Sequence, residues 1–231
     1  GSEMCIRDSC YIGTEKPNHD VVIIGWDDSY SKDNFSVDLE GDGAFICQNS
    51  WGDNFGENGF FYISYYDTNI GTHNVVYTDI ENTDNYDHIY QSDLCGWVGQ
   101  LGYNKDSIYG ANVFTAEGNE TLKAASFYAT GKDSQYELYV VRQFEDETSL
   151  EKMIPVASGK LGNAGYYTVD FNQGIEVDAG ERYAVVLYII TPGSVHPMAI
   201  EYAADEATEN VDLDDGESYI SANGSKWVSV D

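Results

Sequence analysis

The sequence predicts a mainly β chain in two parts, a short first part of a few strands followed by a β-sandwich of the jelly-roll kind. Three observations predict it. Short apolar and aromatic runs recur at regular spacing between Gly, Asn and Asp; no segment sustains a helical period; and a polar stretch, residues 79–87 (DIENTDNYD), separates an early group of runs from a later one. The 231 residues suit one large domain or two small ones, and 14% aromatic content with 19 Tyr belongs to a folded β-rich protein, not to a disordered acidic polymer.

The opening GSEMCIRDS (1–9) has no periodicity and reads as a non-native addition outside the fold. Residues 10–83 form the first part, with strands expected at 21–26 (VVIIGW), 44–48 (AFICQ) and 60–66 (FFYISYY). The acidic loop at 27–43 is expected on the surface. Residues 84–231 form the second part. Its strands are expected at 111–116, 122–129, 136–144, 166–171, 182–190, 198–203 and 218–222, with turns at GKDS, GNAG, DAGE and NGS between them. Residues 149–153 have room for one helical turn at most.

Charge excludes several function classes. Lys and Arg number 11 against 40 Asp and Glu, a formal net charge of −29. Nucleic acids are held by cations that neutralise phosphates, so this chain would repel them, and a basic membrane-surface role fails for the same reason. The charge is −12 over residues 1–83 and −17 over the rest, so neither part is a detachable acidic tail. The longest apolar run, residues 184–190, is too short to span a bilayer, and no secretory signal pattern is present. The cysteines, at 5, 10, 47 and 95, include no Cys-x-x-Cys and no regular spacing, so neither a zinc site nor a disulfide framework is expected, and no cofactor is implied.

Two motifs carry chemistry. Asn18-His19-Asp20-Val21-Val22 leads into VVIIGWDD, and Gln48-Asn49-Ser50-Trp51-Gly52 is followed by DNFGENGFFYI. In this order they resemble the His and Asn segments of the papain-like cysteine peptidases, a resemblance that implies a partial β-barrel half-domain for the first part. The resemblance implies His19 as general acid/base, Asn49 as the amide that orients its ring, and Trp51 as the indole shielding their hydrogen bond; the substrate would be a peptide or protein. The separation of 30 residues is longer than in papain because of the acidic insertion, and Phe55 stands where the family usually has a second Trp.

The nucleophile is the departure. The family's reactive Cys lies in a Cys-Gly-x-Cys-aromatic setting about 130–150 residues before the His, whereas 18 residues precede His19 here. Cys5 and Cys10 lack that setting, and Cys47 sits in an expected strand. The chain is therefore expected to lack the nucleophile and to be inactive alone. Asp33, Asp38, Glu40 and Asp42 in the insertion do not have the spacing of a Ca²⁺-binding helix–loop–helix and read as a solvated loop. His73, His88 and His196 read as surface or turn residues.

The second part resembles the lectin-like sandwich that follows a papain-like peptidase in surface and secreted bacterial proteins. YDHIYQSD, GWVGQLGY, ANVFTAEGNETLKAASFY, GYYTVDFNQGIEVDAGERYAVVLYI and GESYISANGSKW carry the resemblance. That family continues past Lys-Trp into a last strand, so a strand is expected to lie unpaired here. Sugar binding would need exposed aromatics for stacking, and Trp97, Tyr103, Tyr109, Tyr219 and Trp227 are the candidates, with acidic neighbours such as Asp106 and Glu217; Trp97, Tyr109 and Trp227 lead them. The resemblance implies an extracellular or cell-surface bacterial peptidase fragment, with host or cell-surface glycans as further partners. The alternative is a non-catalytic carbohydrate-binding or adhesin module on a peptidase-derived scaffold.

Overall fold

The computed structural model describes residues 8–72, 74–92, 95–204, 208–209, 211 and 217–230. It is mainly β and divides into two compact units, residues 1–80 and 81–231.

The first unit holds β1 (Asp8–Ser9), β2 (Val22–Asp27), β3 (Ala44–Gln48) and β4 (Phe60–Ser64) in one sheet of order β1-β4-β3-β2. Among the described residues the sheet is open and closes no barrel. β1 pairs in parallel with β4 through Asp8↔Tyr62 and Ser9↔Ile63. Asp8 and Ser9, set aside on sequence grounds, are thus part of the sheet; residues 1–7 lie outside the described residues. A bulge at Ile24 lets the unbroken apolar run of β2 pair with β3 on both sides of it.

The acidic insertion is not simply solvated. After a single 3-10 turn at Lys32–Asn34, capped by Ser31, the chain folds over one face of the sheet and buries Phe35 and Leu39 against Ala44. Tyr30 stacks on Tyr62 at 4.0 Å. Apolar residues at 35, 37 and 39 alternate with Ser and Asp, a period-two pattern masked by the surrounding carboxylates. Cys47, Phe61 and Ile63 form the core on the opposite face.

The second unit comprises β5 (Gly99–Leu101), β6 (Ser107–Thr115), β7 (Glu120–Ala129), β8 (Ser134–Val141), β9 (Ile154–Leu161), β10 (Gly165–Val177), β11 (Arg182–Ile190), β12 (Met198–Ile200), β13 (Glu217–Ser221) and β14 (Val228–Ser229). Six of these strands form a sheet of order β14-β13-β6-β11-β8-β9, with β10-β7 and β12-β5 as separate pairs. Phe127 and Ala129 of β7 pack with Leu138, Val140, Leu187 and Ile189 of the large sheet, and Val169 and Phe171 of β10 close the layer. Behind the sheet, Ala184 and Val186 are covered by Phe144 and Leu150. β11 is therefore buried on both faces, which is why its sequence is an almost continuous apolar run.

The large sheet contains a strand not expected from sequence. β9 holds Pro155 and Gly159, residues that argue against a central strand, but it is the sheet's edge and Pro155 sits at a bulge opposite Tyr139. Val228–Ser229 pairs with β13 as β14, so the Lys-Trp turn is followed by a paired segment. The one expected turn appears as a 3-10 helix, Glu147–Glu151, with a capping box between Asp146 and Ser149.

One ion pair ties the end of β8 to the turn before β11. Arg142 donates from Nε and Nη2 to the two oxygens of Glu181, at 2.9 and 2.6 Å, and the backbone N–H groups of Gln143 and Asp178 add 3.2 and 3.1 Å contacts. The Arg142 bonds, with those N–H groups, hold the Glu181 carboxyl down at about 2 against an ordinary 4.5. A depressed carboxylate stabilises the fold fully above its unfolded value and loses that contribution as pH falls through the folded one. Glu181→Gln is thus expected to be less stable than wild type at pH 7, with the gap narrowing below pH 4.5 and closing towards pH 2; urea midpoints across that range test it. A constant gap would refute the linkage.

Candidate active site

His19 lies just before β2 and Asn49 just after β3, so the pairing of these two strands, Val22↔Gln48 and Ile23↔Cys47, sets both side chains at the same end of the sheet. Their contact is His19 Nε2 to Asn49 Oδ1 at 3.0 Å. The backbone N–H of Ser50 donates to the same Asn49 atom at 2.8 Å, so that atom is the carbonyl oxygen and can only accept. His19 Nε2 must then be the protonated nitrogen. In the neutral ring this leaves Nδ1 as the proton acceptor, with no hydrogen-bond partner among the described residues.

Asn49 is 8% exposed, and its own N–H donates to Gly59 O at 3.0 Å. The turn between β3 and β4 holds this geometry: Phe55 N–H donates to Gly52 O, Gly59 N–H to Phe55 O and Glu57 N–H to Phe60 O. Gly56 is required in it, since φ is +56° and an added Cβ would lie 2.1 Å from Phe60 O. Trp51 places its ring 5.0 Å from the imidazole at 35°, Phe55 meets Trp51 edge-on at 5.0 Å, and Phe61 meets Phe55 edge-on at 5.5 Å. The imidazole thus connects through three aromatic rings to the buried core around Cys47. Phe55, which stands where the papain-like family usually has a second Trp, is the middle link of that chain.

The arrangement can orient an imidazole and move a proton through Nδ1. Burial raises the thiols of both described cysteines of this unit. Cys47 is buried, and burial together with the Asp67 carboxylate pushes its thiol up to about 11. Burial also raises Cys10, assisted by Asp67 and opposed by a hydrogen bond with Ser64. Cys95 is exposed in the second unit, and Cys5 and His73 lie outside the described residues.

Asp33, Asp38, Glu40 and Asp42 belong to no metal-holding group among the described residues; Asp42 accepts instead from the Lys32 N–H. His88 contacts Glu120 at 2.7 Å, and His196 donates its N–H to Ser194. Of the aromatics considered for sugar contact, Trp97 and Tyr103 are each 37% exposed, whereas Tyr109, Tyr219 and Trp227 pack against the core behind the large sheet.

Residues 4–80 match the papain family cysteine protease model, and residues 89–231 match the lectin like domain model. A cysteine-to-alanine variant of the clostridial cysteine protease Cwp84 after propeptide cleavage is 28% identical, with a TM-score of 0.76, covering 92% of this chain and 53% of that one. The cysteine protease and lectin-like domains of Cwp84, a surface layer associated protein of Clostridium difficile, are 25% identical, with a TM-score of 0.71, covering 92% and 48%. The chain spans about half the length of these solved structures. No curated protein matches it.

Proposed function

We propose that this chain, which belongs to the lectin like domain family and carries papain family cysteine protease segments ahead of that domain, supplies the acid/base part of a secreted or cell-surface bacterial peptidase. The carrying observation is the shared Asn49 oxygen, which accepts from Ser50 N–H and His19 Nε2–H and so turns Nδ1 outward as a base. Facing a thiol, Nδ1 would take its proton; the thiolate would add to the peptide carbonyl, and the imidazolium would protonate the amine as the C–N bond breaks. The same nitrogen would then deprotonate the water that hydrolyses the thioester.

No described cysteine of the first unit is activated for that role, so we assign no peptidase activity to this chain alone. The test uses a thiol-directed peptidase probe and a fluorogenic peptide. The chain by itself should give neither labelling nor turnover. Joined behind the nucleophile-bearing portion of its clostridial relative, it should give both, dependent on His19. Labelling of Cys5 or Cys10 in the chain alone that vanishes in His19→Ala would overturn the first statement. A folded but inert joined protein would overturn the second.

For the sandwich we propose a glycan-binding role, with Trp97 and Tyr103 the most accessible of the candidate aromatics. The relative's association with a surface layer supports an extracellular or cell-surface setting. Among the described residues no helix is long and apolar enough to cross a membrane.

A further inference from the structure

Two aromatic groups lie on the outer faces of the sandwich, and they differ in access. Behind the large sheet, Tyr109 stacks on Tyr188 at 4.2 Å, meets Trp227 edge-on at 6.2 Å, and lies so near Gly224 that an added Cβ there would stand 3.1 Å from the ring. Tyr109 is thus packed among protein groups, which leaves it little room for a sugar ring.

The outer face of the β7–β10 pair is open. Tyr128 and Tyr166 are direct cross-strand partners with ring centroids 4.8 Å apart, and Trp97 lies 6.1 Å from Tyr128. Tyr166 is 58% exposed and Trp97 37%. Two residues along each strand, Ser126 and Thr168 are paired, with their hydroxyls 2.9 Å apart. Two further on, Ala124 stands opposite Asp170, whose carboxylate accepts from Tyr86 OH at 3.3 Å. An aromatic pair, a hydroxyl pair and a single carboxylate thus follow one another over about 13 Å of strand.

The aromatic end is held in place. Glu201 accepts the N–H groups of Cys95 and Gly96, the latter at 3.1 Å, and Val98 N–H donates to Ile200 O at 3.0 Å. Gly96 has φ of +67°, and a Cβ there would come 2.7 Å from the Tyr128 hydroxyl. The backbone beside Trp97 is therefore seated against Tyr128 before any ligand arrives, which lowers the ordering cost of binding.

We infer that this face binds an uncharged oligosaccharide lying along the strands. Trp97 and Tyr166 meet the C–H faces of successive rings, while the Ser126–Thr168 pair and Asp170 meet sugar hydroxyls. The charged group in this row is a carboxylate, on a chain of net charge −29, so acidic sugars are repelled. The inference rests on the glycan-binding reading above.

The experiment titrates the full chain with neutral gluco-, manno-, galacto- and N-acetylglucosamine oligosaccharides and with oligogalacturonate, by calorimetry. A neutral oligomer should bind and oligogalacturonate should not. Trp97→Ala and Tyr166→Ala should each weaken binding about tenfold or more, Tyr166→Phe should retain it, and Tyr77→Ala, an exposed aromatic of the first unit, should leave it unchanged. Circular dichroism confirms that each variant is folded. Neutral binding that survives both alanine substitutions would overturn this site while leaving the glycan-binding reading intact. Tighter binding of oligogalacturonate would overturn the charge argument. The absence of binding to every neutral oligomer would overturn both site and reading.

Discussion

Asn49→Ala, made in a form that carries the nucleophile, is expected to lower kcat/KM on the order of a hundredfold, and His19→Ala on the order of a thousandfold or more. The two losses have different origins. In the proposed role His19 moves the proton, so its removal would delete a step. Among the described residues the hydrogen bonds of Asn49 go to the ring and to its own turn, so its removal would free the imidazole to rotate and strand the Ser50 N–H beside a cavity. KM should change little, because Asn49 is buried and its contacts are to the protein. Asn49→Asp keeps the acceptor and should recover most of the rate, which a merely structural turn residue would not require. Measured kcat/KM within threefold of wild type for Asn49→Ala would remove the orienting role.

Ile189→Ala should cost the sandwich about 3 kcal/mol and lower its melting temperature by roughly 6–12 °C. Ile189 is fully buried in the cluster with Phe127, Leu138 and Val140, where removal of three carbons leaves a cavity between two sheets. The first unit should melt separately and earlier. Its clusters are small, and Val22, Ile24, Trp26 and Trp51 expose more than half of their surface. Limited digestion with a chymotrypsin-like enzyme should remove residues 1–80 before cutting 81–231. A single shared transition, moved as a whole by Ile189→Ala, would show that the two units do not unfold independently.

The His and Asn segments were legible because each side chain is fixed by its immediate sequence: an apolar strand behind His19, and a Gly-rich turn behind Asn49. What sequence could not supply was the tautomer, which depends on the backbone N–H of Ser50. Most strands were legible from β-type runs, and β11 most plainly. β9 was not, because Pro155 and Gly159 are tolerated only through its edge position and bulge, properties of its neighbours. The buried side of the acidic insertion was hidden for the opposite reason, as carboxylates outnumber the residues at 35, 37 and 39 that do the packing. Tyr128 and Tyr166 are far apart in sequence and become one surface only through strand register.

β2 stands at the edge of its sheet, with a row of apolar side chains beside backbone groups that could accept another strand. Residues 1–80 carry 14 acidic and 3 basic side chains, so two copies approaching edge to edge repel each other. That repulsion reaches about 30 Å at 0.01 M salt but only about 8 Å at 0.15 M. The acidity that excludes nucleic acid thus also acts as a colloidal barrier, one that weakens as ionic strength rises and leaves the β2 edge free to self-associate.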